Sequence, residues 1–253
     1  MTDDDIALAL RLADAAGAAI RPFFRARFER ETKTDLSPVT EADRASESAM
    51  RAILCAERPD DGIIGEEYGR EREDAGRVWV LDPIDGTRAF IAGRPLFGTL
   101  IALMEDGMPV LGVIDQPIIG DRWLGANGHT LFNGKPAHAR RCSVIGNAHI
   151  GTTSPAVFAD GDLARFQAVS SAAGDTLWGG DCHNYGLVAS GHLDAVLESG
   201  LKIYDFAALV PVVEGAGGRM TDWAGQPLGA ASKGDVIAVG DPTLIDDIVA
   251  LLQ

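Results

Sequence analysis

Apolar residues near the start of the chain return at helical intervals. Ile6, Ala9, Leu10, Ala13, Gly17, Ile20 and Phe24 fall on one face of a helix, and Thr2 followed by Asp5 has the form of a capping box that starts it. Ser37-Pro38 breaks the chain, after which Thr40 is placed to cap a second helix. Its apolar positions are Ala45, Ala49, Ile53 and Ala56, running toward Pro59, and its charged polar face is expected to be wet. At Val78 the pattern changes. Val78-Trp79-Val80-Leu81 is a short continuous apolar run of strand type that stops at Asp82-Pro83. Thr99 to Met104, the turn Asp106-Gly107 and Val110 to Ile114 read together as a β-hairpin, and Asn133-Gly134 marks another turn.

The remainder repeats these signals in a second unit. A strand is expected near His149 to Thr153, helices over about Asp162 to Ala173 and His183 to Ser190, and a strand over Leu193 to Leu197. A helix begins at Asp205 and runs through Phe206, Leu209 and Val213 to Gly217-Gly218, the glycine stop of a helix C-terminus, and Asp241 to Leu252 closes the chain as a helix. No repeat, low-complexity segment or long linker intervenes. Any division is therefore a fold line near residue 135, with an α+β half over 1–135 and an α/β half over 136–253 packed together.

Composition narrows the class. A length of 253 residues with 46 % hydrophobic content can fill a sizeable core. The 22 Lys and Arg stand against 37 Asp and Glu, and a net charge of -15 repels both nucleic acid and an anionic membrane surface, so neither is expected as a partner. No stretch approaches the roughly 18 apolar residues of a membrane span, and Thr2-Asp3-Asp4-Asp5 is acidic where a secretory signal is basic. A cytoplasmic protein is expected. Cys55, Cys142 and Cys182 lack the close spacing of zinc or disulfide sets and read as buried thiols.

The chemistry lies in the carboxylates. Asp82-Pro83-Ile84-Asp85-Gly86-Thr87 sets two acids three residues apart on a loop that proline stiffens and glycine lets turn. Gly65-Glu66-Glu67 lies upstream in a turn-like stretch, and Asp205 opens a helix far downstream. Read singly, Asp82 and Asp85 also suit a turn, Glu66-Glu67 a solvated pair, and Asp205 a helix-start charge. Brought together, each close pair costs on the order of 4 kcal/mol at an effective dielectric of 20, so a full cluster rivals the roughly 5 to 15 kcal/mol that holds a domain together. Such a cluster requires a cation. With no His or Cys beside them, these oxygen donors favour Mg²⁺ or Mn²⁺ over Zn²⁺.

Gly65-Glu66-Glu67, Trp79-Val80-Leu81-Asp82-Pro83-Ile84-Asp85-Gly86-Thr87, and Tyr204-Asp205 with the following Gly217-Gly218 resemble, in order and spacing, the signature set of the inositol monophosphatase superfamily. The likeness extends from Thr40-Glu41-Ala42-Asp43 to the glycine pair. It implies an α/β fold, a layered α/β/α/β/α sandwich in which one half supplies most metal ligands and the other covers the substrate, and a homodimer. By the same resemblance Glu66, Asp82, Asp85, Asp205 and the backbone carbonyl of Ile84 match the metal-binding set for two or three Mg²⁺ ions, with Mn²⁺ as a substitute. Thr87 and Asp43 match the pair that orients the attacking water, and Glu67 an acid that assists another water. Asp43 also reads as a capping-box partner of Thr40. The amides of Gly86 and Thr87 suit phosphate oxygens if a helix starts there. The implied activity is Mg-dependent hydrolysis of a phosphate monoester of a small soluble metabolite.

Within the superfamily, Arg88-Ala89-Phe90-Ile91-Ala92-Gly93-Arg94-Pro95-Leu96-Phe97-Gly98-Thr99 and Gly179-Gly180-Asp181-Cys182-His183 resemble histidinol-phosphate phosphatases. That likeness implies L-histidinol phosphate as substrate and a place in histidine biosynthesis. Asp181 suits a cationic substrate, and Glu198 matches a substrate-contacting acid, though it also reads as a surface acid at a strand end. Inositol 1-phosphate or another sugar phosphate is the alternative, since the same metal machinery serves it. A regulatory binding protein acting on transcription complexes is the alternative of another class. His183 departs from the expected residue type and is placed to cap or pack a helix, whereas His129, His138, His149 and His192 belong to no constellation.

Overall fold

Continuous apolar runs such as Val78 to Leu81 and Leu100 to Met104 arise where a sheet is covered on both faces, because alternate side chains then enter two different cores. The computed structural model describes residues 1–26, 30–32, 38–159 and 161–253, with 30–32 and 38–40 described by their backbone alone. Helix α1 (Asp3–Ile20) is followed by an antiparallel pair, β1 (Arg30–Thr32) and β2 (Pro38–Thr40), and by helix α2 (Glu41–Glu57). An eight-stranded mixed sheet comes next. It contains β3 (Gly62–Gly65), β4 (Gly69–Glu71), β5 (Arg77–Asp85), β6 (Gly98–Glu105), β7 (Met108–Gln116), β8 (Asp121–Ala126), β9 (His129–Phe132) and β10 (Lys135–Pro136), in the order β10-β9-β8-β7-β6-β5-β3-β4. The short helix α3 (Thr87–Ile91) lies between β5 and β6.

The second sheet has five strands, β11 (His149–Thr152), β12 (Asp175–Trp178), β13 (Ala195–Glu198), β14 (Arg219–Thr221) and β15 (Val236–Val239), ordered β12-β11-β13-β15-β14. Helices α4 (Asp162–Ala172), α5 (Cys182–Ala189), α6 (Ile203–Phe206), α7 (Leu209–Gly215) and α8 (Leu244–Leu251) complete the chain. Three cores separate the layers. Trp79, Leu81, Ile101 and Leu103 face Leu8, Leu12 and Met50 of α1 and α2. Val78, Val80, Leu100 and Met104 face Tyr185 of α5, Phe206 and Val213 of α6 and α7, and Val196 and Val236 of the second sheet. Ile150, Leu197 and Ile237 turn to Phe166 of α4 and Ile248 of α8. The arrangement is the α/β/α/β/α sandwich that the resemblance implies.

Local signals were read well at the turns. The capping box of α1 forms, with the Asp5 N–H donating to Thr2 Oγ1 at 3.3 Å and the Thr2 N–H to Asp5 Oδ2 at 2.8 Å. Asp106-Gly107 and Asn133-Gly134 both adopt positive φ, as two-residue hairpin turns demand. Ser37 and the side chain of Thr40 lie outside the described residues.

Several expectations require correction. Helix α1 ends at Ile20 before Pro22, leaving Phe24 beyond it, and Leu8, Leu12 and Ala16 centre its buried face. Strand β5 does not stop at Asp82 but continues through a bulge to Asp85, where it pairs with Gly98. The helix expected from Asp205 starts at Ile203 and is interrupted at Ala207-Ala208. The closing helix starts at Leu244, while Asp241 accepts a hydrogen bond from the Thr243 N–H at 3.1 Å. Of the three free thiols only Cys182 is buried, Cys142 is half-buried and Cys55 exposed.

The largest correction concerns α2. Its buried face carries Asp43, Ser46, Glu47 and Arg51 beside Ala42, Met50 and Leu54, so the side expected to be wet is turned inward and Ala56 is exposed.

Two glycines set how the α6–α7 segment meets the large sheet. A Cβ at Gly112 would stand 1.9 Å from the carbonyl oxygen of Ala208, and one at Gly125 would stand 2.2 Å from that of Pro211. Without side chains there, α7 lies directly on β7 and β8, and α6 reaches β5. That contact carries Asp205 to the end of β5.

Candidate functional site

The bulge at the C-terminal end of β5 aims two acids at one point. Thr99 Oγ1 donates to the Pro83 carbonyl at 2.8 Å and Thr87 Oγ1 to the Ile84 carbonyl at 3.0 Å, fixing the irregular backbone between Asp82 and Asp85. Gly86 then takes φ +88° as α3 begins, a conformation that favours glycine. Asp205 arrives from α6, with its Oδ2 accepting the Lys202 N–H at 2.6 Å, and Asp85 Oδ2 accepts the Cys182 N–H at 2.6 Å. Carboxylate oxygens of Asp82, Asp85 and Asp205 lie within 4.8 Å of one another.

Glu66 and Asp43 join this group. The Glu66 N–H donates to the Leu81 carbonyl at 3.2 Å, holding it beside Asp82. Burial, then Glu66, Asp85, Asp205 and Asp43 in turn, push the Asp82 carboxyl well above the ordinary range. Burial with Asp181 and Asp205 does the same to Asp85. Asp205 is pushed up to about 7 by burial with Glu66 and Glu198, against the lowering influence of the Lys202 N–H. Apart from Lys202 and the Cys182 thiol, every side chain acting on these three carboxyls is another acid. None of Asp82, Asp85 and Asp205 forms a salt bridge with a described residue, and the buried Oδ1 of Asp82 has no hydrogen-bond partner among them.

Such a concentration of acid favours a bound cation. Buried like charges a few ångströms apart stay ionised at neutral pH only when an opposite charge joins them. The donors are all oxygen, and Asp82 Oδ1 is buried without a hydrogen-bond partner among the described residues, so the residues fit a hard divalent ion. Of the residues singled out from the sequence, the structure therefore gathers Asp43, Glu66, Asp82, Asp85 and Asp205, with Ile84, Gly86 and Thr87 adjoining in the bulge and its turn. Glu67 follows Glu66, with its Oε2 3.8 Å from Arg44.

Beside the acids opens a cavity of about 150 Å³ lined by Asp85, Asp181, Tyr185, Glu198 and Asp205. Glu198 is buried, not a surface acid, accepting the Thr153 N–H and the Tyr185 hydroxyl, each at 2.9 Å. Asp181 takes the unusual backbone φ +46°, ψ −137° for a non-glycine residue, and its carboxyl comes to rest against Gly86, where a Cβ would stand 3.0 Å from Asp181 Cγ. Burial and Glu198 push its carboxyl up to about 7, while Arg88 pulls the other way. A more open cavity of about 880 Å³ beside Trp223 and Lys233 contains none of these acids, so chemistry rather than volume marks the site.

His183 is not part of it. Its Nδ1 shares a 2.7 Å hydrogen bond with Gln116 Oε1, its ring meets Trp123 edge-on, and burial lowers its pKa, which makes it a neutral packing residue. His129, His138, His149 and His192 are all exposed. Sequence reasoning missed Tyr185, Thr153 and Glu47. Glu47 is fully buried beneath the Glu66-Glu67 turn, and its position four residues after Asp43 was the available signal that the two share a helix face.

Comparison with known proteins agrees with this geometry. The profile of the Inositol monophosphatase family matches residues 1–253. The chain is 47 % identical over 252 residues to the Bifunctional phosphatase IMPL2, chloroplastic, of Arabidopsis thaliana, covering 96 % of this chain and 73 % of that protein. It is 40 % identical over 233 residues to a histidinol-phosphatase of Mycobacterium tuberculosis, covering 89 % of this chain and 90 % of that one. The solved structure of an inositol monophosphatase from Zymomonas mobilis superposes with a TM-score of 0.92 at 56 % identity, over 99 % of this chain and 98 % of that one.

Proposed function

The chain belongs to the inositol monophosphatase family, whose members are metal-dependent phosphatases of phosphate monoesters, and from that premise we propose that it hydrolyses L-histidinol phosphate to L-histidinol and phosphate. The observation that carries the choice of substrate is the pair of acids, half-buried Asp181 and buried Glu198, lining the cavity beside Asp85 and Asp205. An amine or imidazolium placed between them offsets the repulsion that raises the Asp181 carboxyl. A neutral polyol offers no such charge. The histidinol-phosphatase relative supports the same reading.

In this reading Glu66, Asp82, Asp85, Asp205 and the Ile84 carbonyl hold two or three Mg²⁺ ions, with Mn²⁺ able to substitute. When bound, the cations supply positive charge to the phosphoryl oxygens and acidify water. The chain's own groups do the positioning. Thr87, tethered through its hydroxyl to the Ile84 carbonyl, and Asp43 orient the attacking water, and Glu67 assists a second one. The Gly86 and Thr87 amides receive phosphate oxygens at the start of α3. Residues 1–135 supply most of the metal ligands and 136–253 cover the substrate. The enzyme works in the cytoplasm as a homodimer without nucleic-acid or membrane partners; no helix among the described residues is long and apolar enough to cross a membrane.

A second reading is favoured by the 56 % identical Zymomonas mobilis structure, which is of an inositol monophosphatase. The two separate on kcat/KM for L-histidinol phosphate, inositol 1-phosphate and a generic aryl phosphate in the wild type and in Asp181→Ala. A charge-assisted hydrogen bond is worth roughly 1.5 to 3 kcal/mol, or about tenfold to a hundredfold in preference. The variant should lose that preference while hydrolysing the aryl phosphate nearly as before. If the wild type prefers inositol 1-phosphate, or if all three rates fall in parallel, the histidinol assignment is wrong.

A further inference from the structure

We infer that Glu47 is a positioning residue that sets the Glu66-Glu67 turn for cation binding, acting through the backbone of the turn without itself touching the cation. The inference rests on the reading of Glu66 as a metal ligand. Glu47 is 0 % exposed, and a buried carboxylate is tolerated only when its lone pairs are well satisfied. Its donors are specific. Oε2 accepts the Glu67 N–H at 2.7 Å, and Oε1 accepts the Tyr68 N–H at 3.2 Å together with Arg51 Nε at 2.7 Å. Arg51 in turn donates to Glu71 Oε1 at 2.7 Å and to the Gly69 carbonyl. Two side chains one helical turn apart on α2 thereby clamp the segment from Glu67 to Glu71.

The turn is shaped to receive them. A Cβ at Gly65 would stand 1.9 Å from Glu47 Oε1, so the carboxylate occupies the space that only glycine leaves open. Glu66 sits between this clamp and the Leu81 carbonyl that accepts its N–H. Its backbone is thus held on one side by β5 and on the other by α2. Asp43 lies four residues before Glu47 on the same buried face, so α2 presents one acid to the carboxylate cluster and uses the next to hold the turn. Burying Glu47 and Arg51 in a helix interior costs desolvation. The return is a Glu66 carboxylate kept beside Asp82 and Asp205 despite their mutual repulsion, the role that partners behind metal ligands commonly play.

Calorimetric titration of Mn²⁺ into chelator-stripped protein, with no substrate present, tests this. The variants are Glu47→Ala, Glu47→Gln, Glu66→Gln and, as a control for lost stability, Asp194→Asn, which breaks the ion pair between the buried Asp194, just before β13, and the partly exposed Arg140. Near-UV circular dichroism establishes folding. The expected result is a Kd raised about tenfold to a hundredfold in Glu47→Ala, and less in Glu47→Gln, which keeps an acceptor for a turn amide. Asp194→Asn should leave the Kd unchanged. In turnover, the Mg²⁺ concentration for half-activation should rise while kcat at saturating Mg²⁺ largely recovers. Should Glu47→Ala fail to fold, Glu47→Gln decides. Kd values within twofold of wild type in the folded Glu47 variants, with Glu66→Gln still weakened, overturn the inference alone. The same holds if Asp194→Asn weakens binding equally. A wild type that binds no Mn²⁺, or a Glu66→Gln that binds normally, overturns the metal reading beneath it.

Discussion

The two ends of strand β5 carry similar densities of acid and solve the resulting repulsion in opposite ways. At its start, Arg77 meets Asp5 at 2.8 Å, Glu105 at 2.7 Å and Asp61 at 3.4 Å, while Arg58 and the N-terminal amine take further contacts with Asp5 and Glu105. Burial there works against the Asp5 charge, but Thr2, Arg58 and Arg77 overcome it and leave the carboxyl below its ordinary range; Arg77 is raised in turn. At the other end Asp82 and Asp85 are pushed up by burial and by their acidic neighbours. A structural cluster supplies its own cations. Asp82 and Asp85 have no salt-bridge partner among the described residues, and this difference, rather than the number of acids, is what supports the proposed cation site at the far end.

Asp85→Asn tests the comparison most severely. With the shape kept and a ligand charge lost, kcat should fall by about a thousandfold, whereas the melting temperature of the cation-free protein should not fall, because the removed charge had no opposite partner. Millimolar Mg²⁺ should raise the wild-type melting temperature by several degrees and that of the variant by less. Activity within tenfold of wild type, or a large loss of cation-free stability, would place Asp85 in a structural cluster like that around Arg77.

Arg77→Met should show the reverse. Breaking a buried pair costs more than breaking an exposed one, but Arg77 is about a third exposed and Arg58 remains on Asp5, so a loss of about 2 kcal/mol is expected. That lowers the melting temperature by about 4 to 8 °C in a chain of this size. Mg²⁺ activation and kcat should stay within twofold. A tenfold fall in kcat would show that the two ends of β5 are coupled and would break the contrast.

The smallest effect is expected at Asp194, a buried acid with a partner of its own. It accepts two hydrogen bonds from Arg140 and the His149 N–H at 2.7 Å. Burial opposes its charge, and these donors outweigh that and hold its carboxyl below the usual range. The folded value being lower than the unfolded one, near 4, its stabilising contribution is present above about pH 4 and is lost as pH falls through the folded value. Asp194→Asn should cost roughly 1 to 2 kcal/mol at pH 7, since Arg140 is partly exposed and screened. Thermal melts from pH 7 to pH 3 should show the gap to wild type closing below about pH 4. A gap that persists unchanged at pH 3 would mean that packing, not charge, made the difference.

Legibility from sequence followed the range of the interaction that decides each feature. The hairpin turns at Asp106-Gly107 and Asn133-Gly134 and the cap of α1 are settled within a few residues, and all three formed as read. The edge strands β12 and β14 and the inner strand β15 are not legible locally because their pairing partners lie elsewhere in the chain. Helix α2 misled for a further reason. Periodicity assigns polar residues to the outside by default, yet Glu47 and Arg51 face inward because the Glu67 and Tyr68 amides and the Gly69 carbonyl are there to receive them.

The class of fold was legible in the chain through its resemblance to the inositol monophosphatase superfamily at Gly65-Glu66-Glu67, Trp79 to Thr87 and Tyr204-Asp205, and the kind of chemistry through the oxygen donors of the Asp-Pro-Ile-Asp-Gly-Thr segment. Tertiary structure decided which of those acids meet. Asp205 reaches Asp82 only because Gly112 and Gly125 let α7 lie on the sheet, and Asp181 reaches the cavity only through a strained backbone against Gly86. A carboxylate's role depends on the charge of its neighbours within a few ångströms, and here those neighbours come from α2, the Glu66 turn, the end of β5, the residue before α5, β13 and α6.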